Sequence, residues 1–164
     1  MSVNSRTSYH FCNCPYCAHQ KSIPELTIYE ICKEYIDINS LSGTKIDGWE
    51  IDVYIPSKNI CVEYDGSHFH NSDEAKEREN RKNSCILEDS KNYTMIRIKE
   101  TTDSKKLELF KEITDSGVII YYISNGYRNK YFIRLSKIIK DIFNIEISDK
   151  ELFNKFNSIK TNIA

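Results

Sequence analysis

Two neighbouring segments decide the fold of this chain: WEIDVYIP at residues 49–56 and ICVEYDGSHFH at residues 60–70. Both alternate with a period of two, which predicts two short strands joined as a hairpin. The alternation gathers acidic side chains on one side of the predicted sheet. These acids are Glu50, Asp52, Glu63 and Asp65. Carboxylates about 4 Å apart repel by roughly 4 kcal/mol at an effective dielectric constant of 20, so the cluster indicates a hard divalent cation.

The other interpretation of this acidic face is plain exposure to solvent, as in many antiparallel sheets. Gly66, which permits a close turn, and the following His68 and His70 favour a functional site. A histidine beside acids often only completes their hydrogen bonds, but imidazole titrates near neutral pH and can activate water as a base. The orientation of His70 depends on whether Gly66 breaks the strand, and strand parity leaves it open.

The composition sets limits on partners and location. The 164 residues suffice for one domain, and 23 Lys and Arg against 24 Asp and Glu give a net charge of −1. There is no global basic field, so nucleic-acid binding would depend on local clusters of Lys and Arg. Every apolar run is short, so we expect a cytoplasmic protein with no membrane partner. Six cysteines then indicate metal ligands or buried thiols rather than disulfides.

A cysteine-rich segment precedes the hairpin. Cys14 and Cys17 have the two-residue spacing of a knuckle that binds structural Zn²⁺, and Cys12 is the third predicted ligand. The remaining candidates are His10, His19 and Cys85, or the distant Cys32 and Cys61, and the sequence does not choose among them. The competing interpretation of Cys-x-x-Cys is a redox dithiol, but the preceding strand and βαβ context of that motif are missing.

The rest of the pattern predicts an α/β fold in which a small mixed β-sheet is flanked by helices. We expect helices at residues 22–39, 72–90, 105–114, 130–143 and 148–158, strands at 93–98 and 118–124, and a loop at 41–48. We divide the chain into a zinc segment at 1–21, a core at 22–125 and a helical extension at 126–164. This extension could be a dimer surface, a DNA-docking unit or a cover for the core.

Charged residues fall on the inward stripes of two predicted helices. Ser22 and Glu25 form a capping box, and Glu25 can also point at the sheet. In the helix at 72–90, Glu79 and Lys82 occupy the inward stripe, where charged side chains rarely lie without a partner. The alternative is a Glu79–Lys82 pair at the edge of that stripe.

The same helix carries the densest basic cluster near the acids. Its members are Lys76, Arg78, Arg81 and Lys82. The plain interpretation of such a cluster is a solvated face. The functional one is a surface on which a phosphate backbone rests.

In order and spacing, these pieces resemble the PD-(D/E)xK nuclease superfamily. Within it they are similar to the very-short-patch-repair-like branch, which includes phage homing endonucleases with a Glu, Asp, His, Asp signature. The resemblance covers residues 12 to about 100. Its pieces are Cys14-x-x-Cys17, Ser22-x-x-Glu25, EIDVYIP at 50–56, VEYDG at 62–66 with His70, ENRKN at 79–83, and IRIKE at 96–100.

The resemblance implies a DNA endonuclease with a restriction-endonuclease-like core, dependent on Mg²⁺ or Mn²⁺, acting in a bacterial or phage-infected cell. It implies a metal held by Asp52, Glu63 and the carbonyl of Tyr64. It also implies that His70 is the base that deprotonates water, oriented by Glu25 or Glu79.

Two positions depart from the family pattern. Asp65 stands where the superfamily has its lysine, and Glu79 stands where an aspartate is more usual, while Lys82 follows in the matching place. The implied catalytic set is Glu25, Asp52, Glu63, Asp65, His70, Glu79 and Lys82.

Two other functions remain open. One is a zinc-anchored nucleic-acid-binding module whose nuclease-like core is inactive, and the other is an RNA-directed or structure-specific nuclease with the same metal chemistry. A single active site per chain would nick DNA, so cutting both strands would need a homodimer or two visits.

Overall fold

The structure is a computed structural model and describes residues 21–67 and 72–163. Its helices are α1 (Ile23–Tyr35), α2 (Asp73–Leu87), α3 (Ser104–Leu109), α4 (Asn129–Phe143) and α5 (Asp149–Ile163). Its strands are β1 (Leu41–Ile46), β2 (Trp49–Ile55), β3 (Ile60–Asp65), β4 (Thr94–Thr101), β5 (Lys111–Ile113) and β6 (Ile119–Ser124). A short 3₁₀ turn, Pro56–Lys58, joins β2 to β3.

The strands of the described ranges form one six-stranded mixed sheet in the order β1-β2-β3-β4-β6-β5. Strands β1, β2 and β3 are antiparallel neighbours, β3, β4 and β6 run parallel, and β5 pairs antiparallel to β6. The predicted hairpin and the predicted class, an α/β fold with a mixed sheet flanked by helices, are confirmed. Within the described ranges, no helix combines the length and apolar character needed to cross a membrane.

Two apolar clusters hold the sheet between its helices. The larger one packs α1, α4 and α5 against one face, and the smaller one packs α2 against the other. From α4, the side chains of Tyr131, Leu135 and Ile138 are fully buried in the larger cluster. Of the three roles left open for residues 126–164, α4 and α5 therefore fulfil that of covering the core.

The structure corrects two elements at the sheet edges. Residues 41–46, predicted as part of a loop, form β1, which pairs with β2 from Leu41–Tyr54 to Ile46–Trp49. The predicted helix at 105–114 is only six residues long, and Lys111–Ile113 form β5 instead. Each is an edge strand with one pairing neighbour, so it carries little of the apolar alternation by which a strand is recognised.

The helix ends also differ from the expected ones. Helix α1 stops at Tyr35, before the predicted residue 39, because the Asp37 carboxylate accepts hydrogen bonds from the amides of Asn39 and Ser57 at 2.9 and 3.0 Å and stabilises a turn. Helix α2, predicted over residues 72–90, runs from Asp73, after the N-cap Ser72, to Leu87. Helix α5 extends to Ile163, five residues beyond the predicted end.

Candidate functional site

The centre of the candidate site lies where the pairing of β2 with β3 gives way to a side-chain contact. The ladder runs from Ile55–Ile60 to Val53–Val62. At the next position the contact with β3 is made by the side chain of Asp52, whose Oδ2 accepts a hydrogen bond from the Tyr64 amide at 2.8 Å. The carboxylate thus satisfies a backbone donor of β3 and is held beside that strand.

Glu63 on β3 is the nearest acidic partner of Asp52. It is 5% exposed, and its carboxyl group is in hydrogen-bond contact with that of Asp52. Burial and the neighbouring charge of Asp52 raise the pKa of Glu63 to about 8, and burial raises the pKa of Asp52 as well. Two carboxyl groups this close to each other disfavour ionising together.

Lys82 on α2 supplies positive charge to this pair. Its ammonium group forms an ion pair with Oε1 of Glu63 and donates a hydrogen bond to the main-chain carbonyl of Glu50. The side chain is 15% exposed, so the contact is largely shielded from water. The sequence placed Glu79 and Lys82 on the same inward stripe, but their partners are different, so the alternative of a Glu79–Lys82 pair is wrong.

Arg97 organises the acids next to this pair. It is 3% exposed in the middle of β4, and its Nη1 donates to both carboxylate oxygens of Asp65 at 2.9 Å. Its Nε donates to Oδ1 of Asn83 at 2.9 Å, and Nη1 lies 3.2 Å from Oε1 of Glu79. Lys99, two residues along β4, contacts the same Glu79 oxygen at 2.7 Å. Asp65 and Glu79 therefore have their charge balanced by cations of the protein.

Glu25, in the first turn of α1, is a further buried acid close enough to Asp52 to be affected by its charge. Its amide donates to Oγ of the N-cap Ser22 at 3.3 Å, and its side chain is 9% exposed. Burial, followed by the charge of Asp52, raises the pKa of Glu25 to about 8. The two interpretations of Glu25 are compatible. The residue is part of the helix cap with Ser22, and its carboxyl group is also affected by the charge of Asp52.

Lys21 is a further cation of the site that the sequence did not reveal. Its amine donates to the carbonyl of Ser42 at 3.0 Å. It passes through space left by Gly43, which has φ +66°; a Cβ at this glycine would lie 3.1 Å from Lys21 Nζ and 3.5 Å from Oε1 of Glu50. A side chain at position 43 would push this amine aside. Lys21 precedes the helix cap, and its sequence context gives no signal of this placement.

Asp52, Glu63, Lys82 and Arg97 line a cleft of about 620 Å³ between the sheet and α2. Its acids are Glu50, Asp52, Glu63, Asp65, Glu74 and Glu79, and its cations are Arg78, Lys82 and Arg97. The guanidinium of Arg78 lies 5.9 Å from the ring centre of Trp49 at the wall of the cleft. The acids outnumber the cations, so the cleft favours a ligand or ion that brings positive charge.

The predicted nucleic-acid contacts divide into two groups. Lys76, Arg78 and Arg81 are exposed on α2, whereas Lys82 lies inside the cleft. The exposed group borders the cleft, since Arg78 also lines it.

Several predicted ligands lie outside the described residues. These are His70, Cys12, Cys14, Cys17, His10 and His19. Of the other zinc candidates, Cys85 is half-buried on α2, while Cys32 and Cys61 lie fully buried in opposite core clusters. Burial raises the pKa of Cys32 and Cys61 to about 12, so both stay protonated thiols at neutral pH. The zinc site stays a prediction.

The arrangement of the acids limits what kind of metal site they can form. In residues 21–67 and 72–163, no group of three or more His, Cys, Asp or Glu side chains is placed to hold a metal ion. The site there is a carboxylate pair. Comparisons of the chain with protein-family models, with curated proteins and with solved structures find no match.

A pH effect on stability follows from Glu25. Its pKa is raised from 4.5 to about 8 in the folded protein, so the unfolded chain releases this proton at lower pH than the folded one. We expect the contribution of Glu25 to stability to fall as pH rises from 4.5 through about 8. The measurement is the melting temperature at several pH values without added divalent cation, for the wild type and for Glu25→Gln.

The difference between those two melting profiles isolates the Glu25 proton from the other titrating groups. It should decline across this interval. A difference that is constant or grows with pH would contradict the assignment.

Proposed function

We propose that this protein is a magnesium-dependent DNA endonuclease of the PD-(D/E)xK type, with a restriction-endonuclease-like core, that hydrolyses phosphodiester bonds. The observation that carries this proposal is the contact between the Asp52 and Glu63 carboxyl groups in a cleft bordered by exposed basic residues of α2. Nuclease chemistry needs both parts, since the acids suit a hard cation and the basic face suits the phosphate backbone.

The donor set fits Mg²⁺ or Mn²⁺. Magnesium is commonly held by one or two carboxylates together with water and substrate phosphate, so a pair suffices where a triad is absent. Asp52, Glu63 and the main-chain carbonyl of Tyr64 would hold the ion. When bound, it would neutralise charge on the scissile phosphate and lower the pKa of a water molecule.

The residues of the chain divide the remaining tasks. Lys82 presents an ammonium group in the cleft, where it can stabilise charge on the phosphate. His70, outside the described residues, is proposed to accept the proton of the attacking water, with Glu25 as its partner. Asp65 and Glu79, each bound to cations of β4, are proposed to fix the position of β3 and α2 around the pair.

Supercoiled plasmid DNA incubated with the protein and Mg²⁺ or Mn²⁺ tests the proposal. Conversion of supercoiled to open-circular DNA that stops on addition of EDTA is the expected result. Cleavage of an RNA or branched substrate, with plasmid left intact, would favour an RNA-directed or structure-specific nuclease. Intact substrates throughout would overturn the endonuclease.

One observation favours a second candidate, a nucleic-acid-binding module with an inactive core. The ammonium group of Lys82 already neutralises Glu63, and such an internal ion pair can stabilise a fold without any metal. A binder of this kind would retard DNA in a gel without nicking it, so the plasmid assay separates the two functions.

The exposed basic residues give a prediction about binding that needs no cleavage. Lys76→Ala and Arg81→Ala should each weaken DNA binding across sequences and reduce the slope of log K against log[salt] by about 1, because each removes a phosphate contact. Fluorescence anisotropy in Ca²⁺ at several salt concentrations measures this slope. Lys150, exposed on α5, is the matched control and should leave the slope unchanged when replaced by Ala. Equal slopes for all three variants would exclude α2 as the DNA-binding face.

A further inference from the structure

The position of Lys82 raises the question of how a divalent cation reaches the carboxylate pair. One carboxylate oxygen of Glu63, Oε1, is shielded from solvent and is in ion-pair contact with the Lys82 ammonium group. A divalent cation that binds this oxygen must therefore displace the Lys82 ammonium group from it.

We propose that the ammonium group of Lys82 and the divalent cation compete for Glu63. Before the metal binds, Lys82 supplies the positive charge next to Glu63, and metal binding moves the ammonium group from Glu63 into the cleft. This inference rests on the metal site of the proposed function, and it adds how the negative charge of that site is balanced before the ion binds.

The charge balance of the cleft supports the exchange. Asp52 and Glu63 line the same cleft, and the ammonium group of Lys82 is in ion-pair contact with Glu63. Arg97 and Lys99 are in contact with Asp65 and Glu79. The charge of Arg97 also acts on Glu63, but the ion pair of Glu63 itself is with the amine of Lys82, which is carried on a flexible stem.

Lysine suits such an exchange better than arginine would. A guanidinium group is a rigid plane with several donors, and Arg97 uses its plane to bind Asp65 through Nη1 and Asn83 through Nε. An ammonium group is a compact charge on four rotatable methylenes. Among residues 21–67 and 72–163, the further hydrogen bond of the Lys82 amine is to the carbonyl of Glu50, and the amine borders the cleft. Its stem can swing without disturbing α2.

The movement of the Lys82 side chain connects metal binding with the proposed cleavage of the phosphodiester bond. Before the ion binds, the ammonium group balances the acids. After the exchange, the same group faces the space in which a phosphate oxygen would lie. The acids therefore lie next to a positive charge both before and after the divalent cation binds: first the Lys82 ammonium group, then the cation itself.

The affinity for Mn²⁺, measured by electron paramagnetic resonance without nucleic acid, tests the exchange. We expect Lys82→Met to bind Mn²⁺ about tenfold more tightly than the wild type, within the usual coupling between two competing ligands. Each protein is compared with its Asp52→Ala counterpart, so that Mn²⁺ bound elsewhere is subtracted. Lys76→Met, the same charge change on the exposed side of α2, should change the affinity by less than about twofold.

A wild-type measurement accompanies the variants in case Lys82→Met alters the fold. Amine-reactive labelling followed by mass spectrometry should show Lys82 reacting faster when Mg²⁺ is present, because the ion pair that protects it has been broken. Unchanged or slower labelling, or a Lys82→Met affinity equal to or weaker than that of the wild type, overturns the exchange.

The outcomes keep this inference separate from the nuclease. Tighter Mn²⁺ binding by Lys82→Met with an uncut plasmid would uphold the exchange and overturn the endonuclease. Cleavage together with an unaltered Mn²⁺ affinity would do the opposite. Absence of Mn²⁺ binding that depends on Asp52 would overturn both.

Discussion

Asp52→Ala is expected to abolish Mg²⁺-dependent cleavage of plasmid DNA, with a loss of at least about 10²–10³-fold in rate, the effect of removing one group that stabilises transition-state charge. Asp52 is placed to carry this effect because its carboxylate is fixed by the Tyr64 amide at 2.8 Å and contacts Glu63. Removing it would leave the cation with one carboxylate.

The fold should survive this substitution. The lost hydrogen bond to the Tyr64 amide is offset by removal of a carboxylate whose ionised form is disfavoured by its surroundings. Circular dichroism and a melting curve check this. Asp115→Ala, at an exposed turn, is the matched control and should cleave like the wild type. Full cleavage by a folded Asp52→Ala protein would exclude Asp52 as a metal ligand and with it the proposed mechanism.

Arg97→Met is expected to give the largest loss of stability, about 3–5 kcal/mol, because it leaves a buried charge without its partner. Arg97 is 3% exposed and donates to Asp65, which is 5% exposed, and to Asn83, which is 8% exposed. Methionine fills a similar volume, so the loss reports the broken charge pair more than a cavity. Urea denaturation measures the free energy of unfolding.

A double variant distinguishes the charge effect from a packing effect. Arg97→Met combined with Asp65→Asn should recover part of the lost stability, since the orphaned charge is removed along with its partner. Lys137→Met, exposed on α4, is the control for loss of a positive charge and should change stability little. An Arg97→Met protein as stable as the wild type would show that the network of Asp65, Glu79 and Arg97 does not stabilise the fold.

The sequence predicted the parts of this fold that have strong periodicity. The hairpin of β2 and β3, the start of α1 at its Ser22 cap, and α4 all follow from alternation, capping or an apolar stripe. Strands β1 and β5 were missed for one physical reason. An edge strand is held by backbone hydrogen bonds on one side, and its side chains face solvent, so its residues need not alternate.

The candidate site was predictable to a similar degree. Alternation along two strands placed Asp52 and Glu63 together, and the helix period placed Glu79 and Lys82 at the same cleft. The role of Arg97 was missed, although a charged residue between Ile96 and Ile98 in an apolar strand is a signal that a buried partner exists. Which carboxylate each cation binds depends on the packing of α2 against β4, which no local pattern encodes.

Helices α4 and α5 follow the acid-bearing strands along the chain, so the sequence suggests an extension of the core. In the structure they pack against one face of the sheet as part of the larger apolar cluster. Tyr131 of α4 shares a hydroxyl contact of 2.8 Å with Tyr64, the residue whose amide holds Asp52. A transfer of this carboxylate pair into another scaffold, or a shortened version of the protein, must therefore keep residues 129–163 as well.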